Sequence, residues 1–275
     1  MKKVAIFTPI YKHFLEEHEK ISLDFLKKNL NKYDKFFVVP ESFDEKKIPL
    51  DLSKFKLKRF PDKFFTSIKG YNNLLYIKSF YEQFKEYEYL LSYQPDCLVF
   101  KDELEYFCSL DYDYIGAPFI MNNLKEIKNV RKIKHRNGGF SLRKVDSFIK
   151  IAEKYEKKKF KNSWFWRYYL RNFLDYNIGL IKGIIAKKRN RNNIFTVNED
   201  IFWSFGAKTI NHNFKIAPFD IAISFSFENN VPLSFKMNNN KLPFGAHAFQ
   251  CKKNLIEWKK LGVFEKNHFD LTQKI

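Results

Sequence analysis

The chain is short of the residues that build disulfide-stapled, collagenous or low-complexity proteins. It has only three cysteines, Cys97, Cys108 and Cys251, too few and too scattered to staple 275 residues, and a reducing cytosol suits them. Glycine and proline number nine each, which argues against long flexible linkers. No run approaches the ~20 apolar residues of a membrane span. The nearest, Ile178 to Ala186, is brief and interrupted by Lys182. The amino-terminal apolar stretch stops at Pro9, too short for a signal-peptide core, and reads as a first strand. The expectation is a cytoplasmic protein, soluble or peripheral on a membrane. Four signatures are missing as well: G-x-x-x-x-G-K-[ST], G-x-G-x-x-G after the first strand, H-E-x-x-H and G-x-S-x-G. Their absence argues against kinase, nicotinamide-dependent, zincin and serine-hydrolase chemistry.

Acidic residues are outnumbered: 50 Lys and Arg face 31 Asp and Glu, a net charge of +19. Such a surplus attracts phosphates, nucleic acid or an anionic membrane face. The joint abundance of Lys, Asn, Ile and Phe equally fits an AT-rich coding bias. What is plentiful is apolar and aromatic, 45% hydrophobic with 32 Phe and 15 Tyr, ample for a buried core.

Apolar patterning places strands at Val4–Thr8, Lys35–Pro40 and Lys56–Phe60, and helices at Phe14–Leu30 and Tyr71–Phe84. Further strands are read at Tyr87–Tyr93 and Cys97–Phe100, then a glycine-turned strand at Gly138–Arg143 and a helix from Val145 to about Lys157. This alternation predicts a mostly parallel α/β sheet with helices on both faces, whose ligand crevice lies beyond the strands' carboxyl ends. Thr8-Pro-Ile-Tyr11, Gln94-Pro-Asp96 and Asn137-Gly-Gly139 fall at such places. Between Glu153 and Asn193 twelve Lys or Arg meet three acidic residues, interleaved with Trp164, Phe165, Trp166, Tyr168, Tyr169 and Phe173. This segment reads as a helical insertion (153–193) within one catalytic domain (1–275). It suits a membrane interface, an anionic glycan or lipid diphosphate, or plain packing of aromatics onto the core.

Four constellations could carry chemistry. Asp96, at the end of a buried strand, could hold a hard divalent cation shared with substrate phosphates, or could simply turn the chain. Asn198-Glu-Asp200 is either a helix cap or a start that presents a general base. Asn137-Gly-Gly139 offers close backbone approach, or a tight turn. His247 follows a glycine turn and could complete a metal site, although a lone histidine is as readily structural.

The ordered series Tyr89–Phe100, Tyr112–Phe119, Asn137-Gly-Gly-Phe-Ser-Leu-Arg143, Asn198-Glu-Asp200 and Pro243-Phe-Gly-Ala-His247 resembles a bacterial family regarded as glycosyltransferase-like, over roughly residues 1 to 250. The resemblance implies the GT-A plan, a Rossmann-like nucleotide-diphospho-sugar transferase fold. It matches Asp96 to the last acid of Asp-x-Asp, Glu199-Asp200 to the base motif and His247 to the carboxy-terminal metal ligand. Gln94 departs from the pattern by standing where the first aspartate would be, which leaves metal dependence open. The site expected on this basis has Asp200, then Glu199, as catalytic base. Thr8, Tyr11, Lys69, Asn72, Gln94, Asp96, Gly138 and Gly139 are expected at the donor nucleotide, and Asp96 and His247 at Mn²⁺ or Mg²⁺. The expected partners are a nucleotide-sugar donor, with UDP favoured, and a surface-polysaccharide or lipid-linked glycan acceptor, reached by peripheral contact with the anionic inner membrane. No nucleic acid is expected, since no binding motif for one is present. A nucleic-acid-binding protein using the basic aromatic segment, or an inactive sugar-binding relative, are the alternatives.

Overall fold

The computed structural model describes residues 1–12, 14–47, 54–120, 136–158 and 198–264. The main sheet comprises β1 (Lys2–Pro9), β2 (Asp34–Pro40), β3 (Lys56–Phe60), β4 (Tyr87–Tyr93), β6 (Tyr114–Pro118) and β7 (Arg136–Lys144), in the order β3-β2-β1-β4-β7-β6. The first four run parallel, and β7 alone runs against its neighbours. This is the mostly parallel α/β sheet expected.

Alternation along the strands explains why both faces are covered. In β1, Val4 and Ile6 join one apolar cluster while Ala5 and Phe7 join another. In β2, Phe37 and Val39 part from Phe36 and Val38 in the same way. On the first face lies α1 (Glu17–Asn29) with Leu23 and Leu26 buried, its start fixed by a capping box between Glu16 and Glu19. The other face receives α2 (Ile68–Leu74), α3 (Lys78–Glu82), α5 (Val145–Lys158) and α6 (199–210), whereas α4 (Leu104–Ser109) packs beside β1. Phe148 stacks on Trp203 at 4.0 Å between ring centres, which locks α5 to α6. α6 carries a π-helical turn over Phe202–Gly206.

A single helix over Tyr71–Phe84 was expected, and two short ones are found. The Leu75 carbonyl accepts from Tyr81 Oη (2.8 Å) and from Trp203 Nε1 (3.2 Å), so tertiary donors occupy the acceptor that a continuing helix would use. The basic aromatic segment lies outside the described residues beyond α5, as do His13, His135 and His268. Among the described residues no helix is long and apolar enough to cross a membrane.

A second, smaller sheet joins β5 (Leu98–Val99), β9 (Gly245–Ala246) and β8 (Ser226–Phe227), in the order β5-β9-β8. β5 pairs antiparallel with β9, Leu98 against Ala246, so the residues just before β5 meet those just after β9. β8 pairs parallel with β9, Phe227 against Ala246, which sets Glu228 beside His247.

Candidate active site

The carboxyl ends of β1 and β4 and the amino end of the reversed strand β7 open on one cleft of about 650 Å³. Pro9, Tyr11 and Lys12 line it after β1, Gln94 to Asp96 after β4, Asn137 to Gly139 from β7, and Asn198 to Asp200 from the start of α6. Segments far apart in sequence therefore converge because every one of them sits at the same edge of the sheet.

β7 passes between the acidic pair and the histidine, and its two glycines are what permit this. Successive residues of a strand point to opposite faces. A Cβ on Gly138 would lie 1.9 Å from Glu199 Oε1, and one on Gly139 would lie 2.2 Å from His247 Nε2. Neither glycine has a positive φ, so Asn137-Gly-Gly139 is strand with close side-chain approach and not the tight turn that was the alternative. Gly139→Ala is expected to push His247 and Gln94 aside and to cost about 1–3 kcal/mol by overpacking. A melting curve of the variant checks this.

Glu199 and Asp200 are neighbours with different surroundings. Glu199 is buried and pairs with the fully buried Arg143, Nη2 to Oε1 at 3.0 Å. Arg143 also donates to the Gly138 carbonyl, Ser141 Oγ and Tyr81 Oη, each at 3.0 Å. Burial is the largest influence and opposes the Arg143 charge, but Glu199 together with Tyr81, Tyr114 and Tyr71 raises the guanidinium pKa. Asp200 is part-exposed on the cleft wall, and its Oδ1 accepts from Ile201 N–H at 2.7 Å. Asn198 stands at the N-cap without a side-chain bond. The capping bond comes instead from Asn72 Oδ1, which accepts from Glu199 N–H at 2.6 Å.

Beside these lies a histidine between carboxylates. His247 Nδ1 is 2.8 Å from Glu228 Oε2, while Nε2 is 3.1 Å from Gln94 Oε1 and 3.3 Å from Asp96 Oδ1. Burial disfavours a charged imidazole, yet Glu228 and Asp96 together raise its pKa well above the ordinary value. Burial likewise works against the Asp96 carboxylate, and His247 and Gln250 bring its pKa below the usual range. Asp96 Oδ1 is sealed from solvent and accepts no hydrogen bond among the described residues. Gln250 Nε2 donates to Asp96 Oδ2 at 3.3 Å, and Gln250 Oε1 is a second buried acceptor, with no donor among the described residues.

Asp96, Cys97 and His247 bring their ligand atoms within 4.8 Å of one another. Cys97 is the weak member, because burial holds its thiol well above the ordinary value and Sγ approaches the Gly139 carbonyl at 3.6 Å. Asp96 Oδ1, His247 Nε2 and Gln94 Oε1 form the better donor set. His247 Nε2 lies near enough to both oxygens that the three residues could hold one divalent cation.

Of the expected contacts, Tyr11, Gln94, Asp96, Gly138, Gly139 and Asp200 face the cleft. Thr8 does not: it is wholly buried at the end of β1 and offers the cleft no surface. Lys69 does not either, because Ile68, Tyr71 and Asn72 share the cleft-facing side of α2 and Lys69 falls outside their arc, exposed to solvent. Asn72 borders the cleft with both ends of its amide engaged, Oδ1 by Glu199 N–H and Nδ2 by the Ile68 carbonyl at 2.7 Å. In this structure it caps the start of α6. Glu199 likewise lines the cleft, with its Oε1 held by Arg143.

Tyr71, Arg143, Glu228, Gln250 and His18 were not singled out from sequence. The Tyr71 hydroxyl lies near Gln94 at the cleft wall and has no partner of hydrogen-bonding geometry among the described residues. His18 borders the mouth, edge-on to Phe249. Proximity cues existed for Gln250, three residues past His247, for Arg143 at the end of the Asn137–Arg143 motif and for Tyr71 beside Asn72.

The chain belongs to the family described as Protein of unknown function (DUF5672), whose model matches residues 54–247. No curated protein matches it. Among solved structures it is similar to the galactosyltransferase LgtC crystallised with donor and acceptor sugar analogues, at 12% identity and a TM-score of 0.48, covering 98% of this chain and 96% of that one. An active-site mutant of LgtC gives 13% identity and a TM-score of 0.46, with 88% and 86% covered. The apo-form glycosyltransferase GlyE of Streptococcus pneumoniae TIGR4 gives 10% and 0.45, covering all of this chain and 63% of that one.

Proposed function

We propose that this chain is a GT-A type glycosyltransferase, a single catalytic domain that moves a sugar from a UDP-sugar donor to a bacterial surface polysaccharide or lipid-linked glycan. The observation that carries the reading is the convergence of Tyr11, Asp96, Gly138, Gly139 and Asp200 on one cleft. Asp96 Oδ1 faces only His247 Nε2, at 3.3 Å, and Gln250 Oε1 is a buried acceptor without a donor, both among the described residues, so a polar or cationic ligand is a natural complement.

Asp96 and His247, with Gln94 as a neutral third ligand, would hold Mn²⁺ or Mg²⁺. Bound there, the ion would neutralise the charge that grows on the departing nucleoside diphosphate. Tyr11, exposed at the mouth, offers a ring on which uracil can stack. The backbone of Gly138 and Gly139 leaves room for the donor sugar. Asp200 takes the proton from the acceptor hydroxyl as that oxygen attacks the anomeric carbon from the side opposite the diphosphate, so the anomeric centre inverts. Peripheral contact of the basic aromatic segment with the anionic inner membrane would bring a lipid-linked acceptor within reach.

Thermal shift tests the reading. UDP with Mn²⁺, each at ~100 times its dissociation constant, is expected to raise Tm by roughly 5–10 °C. Asp96→Ala is expected to remove the Mn²⁺-dependent part of the rise. No shift with any nucleoside diphosphate, with or without metal, overturns the assignment.

A further inference from the structure

We propose that Glu228 supplies, through His247, the negative charge that Gln94 withholds from the cation site. The proposal rests on the metal-assisted reading above. Of the three donors in the cation site only Asp96 carries a formal charge, because Gln94 and an imidazole that ligates through Nε2 are both neutral. Behind the ring, Glu228 Oε2 lies 2.8 Å from Nδ1. A carboxylate there fixes the Nδ1–H tautomer, turns the Nε2 lone pair toward Gln94 and Asp96, and makes that nitrogen more basic.

Three further observations make this pairing more than a surface contact. Glu228 is only 13% exposed in its side chain, and among the described residues His247 is its only ion-pair partner. The β8–β9 register forces residues 228 and 247 side by side, and His247 N–H donates to the Phe227 carbonyl at 2.9 Å. Asn254 Nδ2 donates to the carbonyls of Glu228 (3.1 Å) and Ala248 (3.0 Å), clamping the chain beside both members of the pair. A part-buried carboxylate held so firmly against a ring whose other nitrogen faces two oxygen donors is a positioning residue for that ring. Counted across the ring, the site regains the two negative charges that a pair of ligating carboxylates would have provided.

Mn²⁺ titration by calorimetry, on the full chain, tests the proposal with four proteins: wild type, Glu228→Gln, Gln94→Asp and the double variant. Glu228→Gln preserves shape and a hydrogen-bond acceptor while removing the charge, and is expected to weaken Mn²⁺ binding about 10–100-fold. Gln94→Asp in the same background is expected to recover most of that loss, which a merely structural Glu228 would not allow. Equal affinity in wild type and Glu228→Gln overturns the proposal and leaves the metal reading standing, as does a double variant that binds no better than Glu228→Gln. Failure of the wild type to bind Mn²⁺ or Mg²⁺ removes the metal reading itself, and the proposal with it. Should Glu228→Gln not fold, ¹⁵N spectra of the wild type with Mg²⁺ decide: His247 as the Nδ1–H tautomer is expected, and an Nε2–H tautomer overturns the role.

Discussion

Asp200→Asn is expected to slow glycosyl transfer by about 100- to 10,000-fold, the usual worth of a positioned general base, while Mn²⁺-dependent UDP binding stays unchanged. The substitution is chosen because Asn keeps the Oδ1 acceptor that Ile201 N–H uses at 2.7 Å, so the start of α6 survives. What disappears is one negative charge in the first helical turn, worth about 0.3–1 kcal/mol against the helix dipole, a small change in Tm. Steady-state transfer from a UDP-sugar, read alongside a thermal shift with UDP and Mn²⁺, separates the two effects. Transfer within a few-fold of wild type would remove Asp200 from the role. The choice between the adjacent acids follows from helix geometry, since consecutive residues project about 100° apart. The inward one is Glu199, against Arg143, and Asp200 stays part-exposed.

How far the sequence could carry this is clearest at particular residues. β1 and β2 were legible because both faces of a central parallel strand are buried, which leaves an unbroken apolar run. The break between α2 and α3 was not, because its cause is two side-chain donors on the Leu75 carbonyl, one of them from Trp203, 128 residues away. The glycine pair announced close approach without saying what approaches. That answer needs β7 to run between Glu199 and His247. Asp200 was readable as an acid at a helix start, but Asn72 as its neighbour's cap was not, since a side chain that bonds across 127 residues leaves no local pattern. Glu228 was the most hidden of all. Its relation to His247 exists only through the pairing of two-residue strands, which carry no periodicity.

Glu199→Gln should show the opposite profile to Asp200→Asn: a loss of about 3–5 kcal/mol of stability, or roughly 10 °C in Tm for a domain of this size, with activity falling only as the folded fraction falls. The reason is the burial of Arg143, whose side chain has no solvent exposure and whose remaining partners, Ser141 Oγ, Tyr81 Oη and the Gly138 carbonyl, are all neutral. Neutralising Glu199 leaves a guanidinium in the core that can neither reach water nor lose its proton. Arg143→Met should be similarly damaging, because it strands the carboxylate. The double variant Arg143→Met with Glu199→Leu should cost less than either single change, since no buried charge then lacks its counterpart. Chemical denaturation of the four proteins measures the coupling. Additive losses would mean the two side chains act independently, and would return Glu199 to contention as a catalytic group.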